Sequence, residues 1–234
     1  GADFVFSAIR VGGTDGRVRD ERVALSNHVI GQETVGPGGN AYALRTLPEA
    51  MRLAKAAREV APNAWVINFT NPAGIITQAM RTVLGNRVVG ICDTPIGLMR
   101  KACAAIGVSP SDVEFDYVGL NHLGWLRELR VDGVDRLPEL LASDEMLDHI
   151  EEARILGFDW VRTLGALPNE YLFYYYYARE SLQRILDEHE TRGEFLRTQQ
   201  EKFYEAATAN PKRAAELWQA THNEREATYM AESR

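Results

Sequence analysis

Cys92 and His122 are the residues whose types and positions most readily suggest chemistry. Cys92 ends the apolar run RVVGIC, and His122 lies in the segment VGLNHLGW. A thiolate and an imidazole together suit a borderline divalent ion such as manganese, iron, nickel or zinc. Two ligands are too few for a closed structural zinc site, which takes four. They would fit an open catalytic site; the alternative is a buried core cysteine and a hydrogen-bonded loop histidine.

Two polar residues near predicted strand ends each have two open interpretations. Asp93, directly after Cys92, would be a general acid or the N-cap of the following helix, which is the commoner role for an aspartate at such a position. Asn71, in NFTNP, would orient a substrate hydroxyl or close a turn before Pro72. Composition and spacing leave both pairs of alternatives open.

Arginines and tyrosines form two further groups. Arg17, with Arg19 and Arg22 in a glycine-rich segment, would clamp a phosphate, because guanidinium geometry matches that group. The alternative is a solvated charge cluster. The tyrosines within 171–177 are packing or interface residues by default. A tyrosine acts as a base only where a nearby cation or metal lowers its pKa.

The elements that position these residues alternate between strand and helix up to about residue 112. Residues 3–9 read as a buried strand and 64–69 and 87–92 as two further strands, whereas 10–22 and 31–39 read as glycine-rich loops. The helix after the second loop is expected to bury one face, formed by Leu44, Leu47, Met51 and Ala54. This alternation predicts an α/β fold with a parallel sheet, in which ligands gather at the carboxyl ends of the strands.

The pattern changes after about residue 112. Antiparallel strands around a loop are expected first, and helix dominates from residue 137. We therefore predict two domains, residues 1–112 and an α+β, mostly helical domain in 113–234. The chain opens inside an apolar strand and its last helix has no strong stop signal, so we expect both ends to be cut.

Composition excludes several classes of partner. The net charge of −7 argues against nucleic acid or an anionic membrane surface as the main partner. No apolar run approaches the roughly 18 residues that a membrane span needs. Two cysteines, Cys92 and Cys103, make a disulfide framework improbable and favour a reducing cytoplasm.

Five segments, taken in order, resemble the NAD- and metal-dependent glycosidases of glycoside hydrolase family 4: DERVALSNHVIGQETVGPGG, WVINFTNPAGIITQA, GICDTPIG, GLNHLGW and YLFYYYY. Within the family the similarity is greatest to the 6-phospho-β-glucosidases. The resemblance implies a Rossmann-like sheet of the lactate and malate dehydrogenase type, of which 1–112 would be the later part of the NAD-binding domain. An incomplete substrate domain would follow. The implied cofactors are NAD and a divalent metal, above all Mn2+.

The implied reaction is hydrolysis of a 6-phosphorylated glucoside. NAD+ takes a hydride from C3, a base removes the C2 proton, the aglycone is eliminated, water adds and the hydride returns. The resemblance implies that Cys92 and His122 bind the metal and that Tyr171 is the base. It implies that Glu33 raises the basicity of that tyrosine and that Asp93 is the general acid.

Three further positions are implied to contact the substrate: Arg17, Asn71 and, for the sugar phosphate, Arg192. The glycine-rich dinucleotide fingerprint G-x-G-x-x-G does not occur in the sequence, so no NAD-contacting residue is assigned and we expect this chain alone to bind NAD poorly. The tyrosine-rich segment and helical tail suggest a homodimer or homotetramer.

Several alternatives stay open. The resemblance implies a small phosphorylated glycoside as the substrate. Within the same family, the alternative enzymes are a 6-phospho-α-glucosidase and an α-galactosidase. A hydroxy-acid dehydrogenase of the same fold, or a non-catalytic sugar-phosphate-binding module, are the competing classes.

Overall fold

The computed structural model describes residues 1–233. Its strands are β1 Phe4–Ser7, β2 Trp65–Asn68, β3 Val88–Gly90, β4 Val113–Leu120, β5 Leu123–Val131, β6 Val134–Asp135 and β7 Leu167–Pro168. Its helices are α1 Gly13–Ser26, α2 Gly36–Val60, α3 Ala73–Leu84, α4 Asp93–Ala105, α5 Leu137–Ala142, α6 Asp144–Asp148, α7 Glu151–Leu156, α8 Phe158–Leu164, α9 Phe173–Tyr176, α10 Ala178–Asp187, α11 Arg192–Ala209 and α12 Ala214–Ala227. Short 3₁₀ turns cover Gly85–Arg87, Pro110–Asp112, Glu170–Leu172, Pro211–Arg213 and Ala231–Ser233. No helix in the described part of the chain is long and apolar enough to cross a membrane.

A parallel sheet belongs to the first of two compact units, which comprises residues 1–8 and 54–177. Its strand order is β1-β2-β3, and both pairings are parallel. Helix α3 packs against β2 and β3, and the buried side chains Val66, Val88, Ile76 and Met80 form this part of the core. The predicted parallel sheet is confirmed, but the prediction of 3–9 as a buried strand was wrong, because Phe4 and Phe6 of β1 are 68 % and 60 % exposed.

The second half of this unit is an antiparallel hairpin covered by short helices. Strands β4 and β5 pair along their length, and β6 and β7 each pair with β5. Leu126 and Leu129 of β5 are fully buried, as are Leu140 and Leu156 of the helices that follow. The predicted antiparallel strands and the helices after residue 137 are therefore confirmed.

The second unit comprises residues 9–53 and those from 178 onward, and it is helical. Helix α1 packs against α11, and α11 against α12. A capping box starts α11: Thr191 accepts from the Glu194 amide, and the Glu194 carboxylate accepts from the Thr191 amide. Helix α2 belongs to this unit as far as Leu53.

The segment predicted as a loop at 10–22 is mostly helix α1, so that prediction was wrong. Gly12 and Gly13 have positive φ angles of 87° and 58° and turn the chain into the helix. Arg17 and Glu21 then pair at a spacing of four residues, which supports a helix. Glycine here makes the entry turn rather than a continuing loop.

The predicted apolar face of α2 was wrong at Leu44, which is 71 % exposed, and was confirmed at Ala54, which is fully buried. Leu47 and Met51 are half-buried, and the other buried side chains include Tyr42, Ala43, Thr46 and Ala50. The helix begins at Gly36, inside the segment 31–39 that was expected to be a loop. A Cβ on Gly38 would lie 2.7 Å from the Gln32 carbonyl oxygen, so this glycine allows close backbone packing. The small side chains mark the contact face better than the large apolar ones.

Candidate active site

Cys92 and His122 lie side by side in the first unit. Cys92 occupies the N-cap position of α4, directly after β3, in an extended conformation. His122 and Asn121 connect β4 to β5, whose residues Leu120 and Leu123 pair directly. The Cys92 Sγ and the His122 Nε2 are 3.5 Å apart.

This separation fits two ligands of one divalent ion. Zinc–sulfur and zinc–nitrogen bonds of about 2.3 and 2.1 Å at a tetrahedral angle place the two ligand atoms about 3.6 Å apart. Within residues 1–233 there is no group of three or more histidine, cysteine, aspartate or glutamate side chains that would hold a metal. Cys92 and His122 are thus two candidate ligands, and water or substrate oxygens would suit the other positions around an ion.

The backbone of His122 is itself unusual. Its φ of 59° lies in the left-handed region, which few residues other than glycine adopt, although histidine is among the tolerated types. The hairpin around it is tight, because Gly119, at φ 123°, packs against the Leu123 carbonyl. Strained conformations of this kind persist where the surrounding structure fixes them.

We expect Gly119→Ala to destabilise the protein by about 3 kcal/mol or more, because the new Cβ would collide with the Leu123 carbonyl oxygen and the φ is unfavourable for alanine. Gly133→Ala is the matched control. Gly133 also has a positive φ, 78°, but no described atom would lie within 4 Å of its Cβ. It should cost about 1 kcal/mol. Urea denaturation of the two variants measures the difference; equal losses would contradict the tight hairpin.

Tyr171 is placed against His122 by strand β7. Trp125 and Leu126 of β5 pair with Pro168 and Leu167, and the Asn169 amide donates to the Gly124 carbonyl at 2.9 Å. The Asn169 side chain then accepts from the Tyr171 amide at 3.0 Å and starts a 3₁₀ turn. The Tyr171 ring stacks on the His122 ring, with centroids 3.7 Å apart and parallel planes.

The structure thus brings together three of the predicted site residues, namely Cys92, His122 and Tyr171. His122 and Tyr171 are each 7 % exposed, and Cys92 is half-buried. Burial raises the pKa of the Cys92 thiol, and hydrogen bonds with Thr94 oppose that effect. A bound cation would favour the thiolate.

Asp93 is exposed beside this cluster. It is the first residue of α4 and Cys92 is the N-cap, so the interpretation of Asp93 as the cap was wrong. Its Oδ1 lies 3.8 Å from the Cys92 Sγ. A carboxylate in the first turn is favoured by the helix dipole, and its exposure leaves it accessible to a leaving group. Its role as general acid stays a prediction.

Glu170, adjacent to Tyr171, was missed by the sequence reasoning. It is 8 % exposed, and burial, followed by the nearby Glu152 carboxylate, raises its pKa to about 7. Glu152 is buried and accepts from Lys101 Nζ at 2.8 Å. The available signal was an acidic residue followed directly by the apolar and aromatic residues of the segment LPNEYLF.

Asn71 has the turn role that was one of its two interpretations. Its Oδ1 accepts from the Ala73 amide at 3.3 Å as α3 begins. The preceding turn is held by Asn68, which is fully buried and accepts from the Thr70 amide at 3.1 Å. Asn71 itself is only half-buried. Contact with substrate stays a prediction.

Glu33 lies in the second unit, between two guanidinium groups. Arg17 Nη1 donates to Glu33 Oε2 at 3.0 Å, and Arg10 Nη2 donates to Glu33 Oε1. Arg10 also lies 5.0 Å from the centroid of the Tyr42 ring. Burial by itself raises the pKa of Glu33, but Arg17 and Arg10 outweigh it and hold the pKa at about 2.

This ion pair predicts a pH dependence of stability. The folded-state pKa of about 2 lies below the ordinary 4.5, so the unfolded chain binds more protons between these values. Glu33 therefore contributes roughly 3 kcal/mol above about pH 5, which is lost as the pH falls toward 2. Urea denaturation from pH 7 to pH 3 should show a shallower loss for Glu33→Gln than for wild type, and Glu49→Gln, at a partly exposed glutamate paired with Arg52, is the control. Equal slopes would contradict the assignment.

Two of the other predicted arginines, Arg22 and Arg192, have partners within the second unit. Arg192, the first residue of α11, donates to the carbonyls of Thr228 and Arg225 and to the Thr228 hydroxyl. Arg19 is exposed, and Arg22 pairs with Glu194. The three arginines 17, 19 and 22 do not converge as one clamp. Contact of Arg17 and Arg192 with substrate stays a prediction.

Comparison with known proteins identifies the class. The model of family 4 glycosyl hydrolases matches residues 1–108, and the model of the C-terminal domain of the same family matches residues 117–233. The chain belongs to family 4 of the glycosyl hydrolases.

Individual relatives include enzymes for both linkages. The chain is 37 % identical over 198 residues to a probable 6-phospho-β-glucosidase of Bacillus subtilis, covering 82 % of this chain and 45 % of the relative. It is 35 % identical over 216 residues to 6-phospho-α-glucosidase 1 of Lacticaseibacillus paracasei, covering 86 % and 49 %. The chain therefore spans about half the length of these curated relatives.

A solved structure agrees with the fold. The 6-phospho-β-glucosidase of Thermotoga maritima, with manganese, NAD+ and glucose 6-phosphate, matches with a TM-score of 0.77 and 30 % identity. The match covers 88 % of this chain and 50 % of that one. The predicted Rossmann-like α/β class, followed by a mostly helical part, is confirmed.

Proposed function

We propose that this chain carries the metal-binding pair and the proton-abstracting base of a 6-phosphoglucosidase. The observation that carries the proposal is the separation of 3.5 Å between Cys92 Sγ and His122 Nε2, with Tyr171 stacked on the same imidazole. The names of the relatives and the glucose 6-phosphate in the Thermotoga structure support the substrate class. The match to only half of each relative makes the activity a proposal about the intact protein.

NAD+ and a divalent ion, both present in the Thermotoga structure, would supply a hydride acceptor and a Lewis acid for the sugar oxygens. Cys92 and His122 fit the ion and would hold it. Residues 1–233 contain no G-x-G-x-x-G segment, so no residue of this chain is assigned to NAD+.

The chain's own residues divide the proton transfers between them. Tyr171, as the base, takes the C2 proton of the sugar. Asp93, exposed at the start of α4, donates a proton to the departing aglycone oxygen.

Glu33 has the electrostatic role implied by the family resemblance. Its pKa of about 2 keeps it ionised at neutral pH, which is the state that an anionic partner for a tyrosine base requires. Arg17 and Asn71 contact the sugar, and Arg192 helps to hold its phosphate. These assignments are part of the proposal, and each can be tested by substituting the residue.

For the substrate we propose a 6-phospho-β-glucoside. The identity of 37 % to the β-glucosidase relative supports this linkage, and that of 35 % to the α-glucosidase makes the α-linked substrate the second candidate. A sugar phosphorylated during import would be met in the cytoplasm. A homodimer or homotetramer stays a prediction.

The test is release of p-nitrophenol by the intact protein from paired α- and β-linked p-nitrophenyl glucoside 6-phosphates, with NAD+ and Mn2+. We expect turnover of the β-linked compound and its loss on chelation of the metal. Turnover of the α-linked compound alone would show that the substrate is a 6-phospho-α-glucoside and not the β-linked one. Oxidation of a 2-hydroxy acid without cleavage of either glucoside would establish a dehydrogenase, and binding of glucose 6-phosphate without turnover would establish a binding module.

A further inference from the structure

We infer that Glu21 is a positioning residue that holds Arg17 in the orientation it needs to contact the phosphorylated sugar. The inference rests on the proposed function and adds to it a residue that neither the sequence motifs nor the comparisons assign. Glu21 lies on the buried face of α1 and is 1 % exposed.

Both oxygens of the Glu21 carboxylate are used. Oε1 accepts from Arg17 Nε at 2.7 Å, and Oε2 accepts from the backbone amide of Gly193 at 2.8 Å. Arg17 lies one turn earlier on α1, whereas Gly193 is the second residue of α11. Glu21 therefore ties the arginine to the start of another helix, where the positive end of the helix dipole favours a carboxylate.

A second nitrogen of the Arg17 guanidinium, Nη1, also has a carboxylate partner. Its Nη1 donates to Glu33 Oε2 at 3.0 Å while its Nε is held by Glu21, so the planar guanidinium is gripped at two points. Arg17 is only 8 % exposed, and removal of a carboxylate partner from a buried guanidinium is destabilising because it leaves a buried charge uncompensated. An arginine held in this way loses little conformational entropy on binding, which strengthens contact with a ligand.

The packing around the pair is close. A Cβ added to Gly193 would lie 2.7 Å from Glu21 Oε2 and 3.1 Å from the Cγ of Arg17. A side chain at position 193 would therefore push on the carboxylate and on the arginine together. This gives a second way to disturb the orientation without altering either charge.

Glu21→Gln tests the inference in the intact protein. Glutamine keeps the shape but replaces one acceptor oxygen with an amide NH2, which faces an N–H donor and loses one of the two bonds. We expect the KM for p-nitrophenyl β-glucoside 6-phosphate to rise about tenfold, since one charge-assisted hydrogen bond is lost. The kcat should change by less than about threefold, because binding rather than chemistry is weakened.

The matched control is Arg197→Gln. Arg197 pairs with Asp15 at 3.2 Å and so also joins α1 to α11, but this pair is exposed. Its removal should leave KM and kcat at wild-type values. If Glu21→Gln does not fold, Gly193→Ala serves in its place and should raise KM in the same direction. If Arg197→Gln raised KM as much as either variant, any weakening of the contact between α1 and α11 would be enough to raise KM, and the inference would be overturned.

A double-mutant cycle separates positioning from a general structural effect. In an Arg17→Met background, where the arginine is absent, Glu21→Gln should cause no further rise in KM. Additive effects on KM, or a wild-type KM for Glu21→Gln, would overturn the inference.

Binding of glucose 6-phosphate, measured by calorimetry, keeps this failure distinct from that of the proposed function. If the wild-type protein binds glucose 6-phosphate but cleaves neither glucoside, only the proposed function is overturned. The double-mutant cycle is then measured with the Kd for glucose 6-phosphate in place of KM. A wild-type protein that neither binds nor cleaves would overturn both.

Discussion

Replacing Cys92 with serine is expected to lower kcat/KM by roughly 10³-fold or more, because metal-ion polarisation is worth several kcal/mol and each 1.4 kcal/mol is a factor of ten. Serine keeps the size of the side chain, but its hydroxyl is not converted to an anion by a borderline cation as readily as a thiol is. His122 would remain as the single protein ligand of the pair, at a position 3.5 Å from the former sulfur.

Binding of the ion itself gives a readout that does not depend on turnover. Titration of the intact protein with Mn2+, followed by calorimetry or by the electron paramagnetic resonance of the free ion, should show at least a ~100-fold weaker affinity for Cys92→Ser. Excess Mn2+ should then restore part of the activity. Full activity of Cys92→Ser in the presence of a chelator would remove the metal site from the proposal.

Cys103 supplies the control for a cysteine that does no chemistry. It is fully buried in α4, the helix that Cys92 begins, so both substitutions affect the same element. Cys103→Ala should cost about 1 kcal/mol of unfolding free energy and leave the Mn2+ affinity unchanged. Loss of affinity in both variants would mean that α4 had shifted, and the effect of Cys92→Ser would not then report on a ligand.

Much of the fold could be predicted from hydrophobic patterning, and the errors have specific physical causes. The strands around Val66 and Val88 are apolar runs bounded by turn signals, and the parallel sheet follows from their alternation with helices. Helix α1 was missed because Gly12 and Gly13, which make its entry turn, are also typical of loops. In α2 the buried side chains other than Tyr42 are small, and a rule that assigns large aliphatic residues to the core fails at Leu44.

The site was predictable to different degrees. For Cys92 and His122, residue types at a strand end and in a loop left two alternatives, a metal-binding pair or a core cysteine and a loop histidine, and the family resemblance favoured the pair. Their distance depends on a hairpin that brings residue 122 back toward residue 92. Tyr171 could be chosen among neighbouring tyrosines only by resemblance to a family. Composition alone cannot distinguish the tyrosine that stacks on the imidazole from Tyr175, which is 49 % exposed.

Glu21 and Glu170 were not foreseen, and the reason is common to both. An acidic residue in a helical segment usually belongs to a solvated face, and only tertiary structure reveals that these two are buried. Glu21 faces Arg17 along the helix and Gly193 from another helix, a contact across 172 positions of sequence. The contact of Glu21 with Gly193 leaves no local signal in the sequence.

Tyr171→Phe is expected to lower kcat by about 10²- to 10⁴-fold, the usual contribution of a positioned general base. Phenylalanine keeps the ring that stacks on His122, with centroids 3.7 Å apart, so the ligand geometry should persist. The Mn2+ affinity and the KM are therefore expected to stay within about threefold of wild type, because only the hydroxyl is removed.

Proton exchange isolates the step that the hydroxyl would perform. With NAD+ and Mn2+ in deuterium oxide, the wild-type protein should exchange the C2 proton of the substrate sugar with solvent, followed by nuclear magnetic resonance, and Tyr171→Phe should not. Tyr175→Phe, at the exposed tyrosine four residues later, should exchange at the wild-type rate. A Tyr171→Phe protein that retains both exchange and kcat would exclude this tyrosine as the base. Joint loss of kcat and Mn2+ affinity would assign it to support of the His122 ring instead.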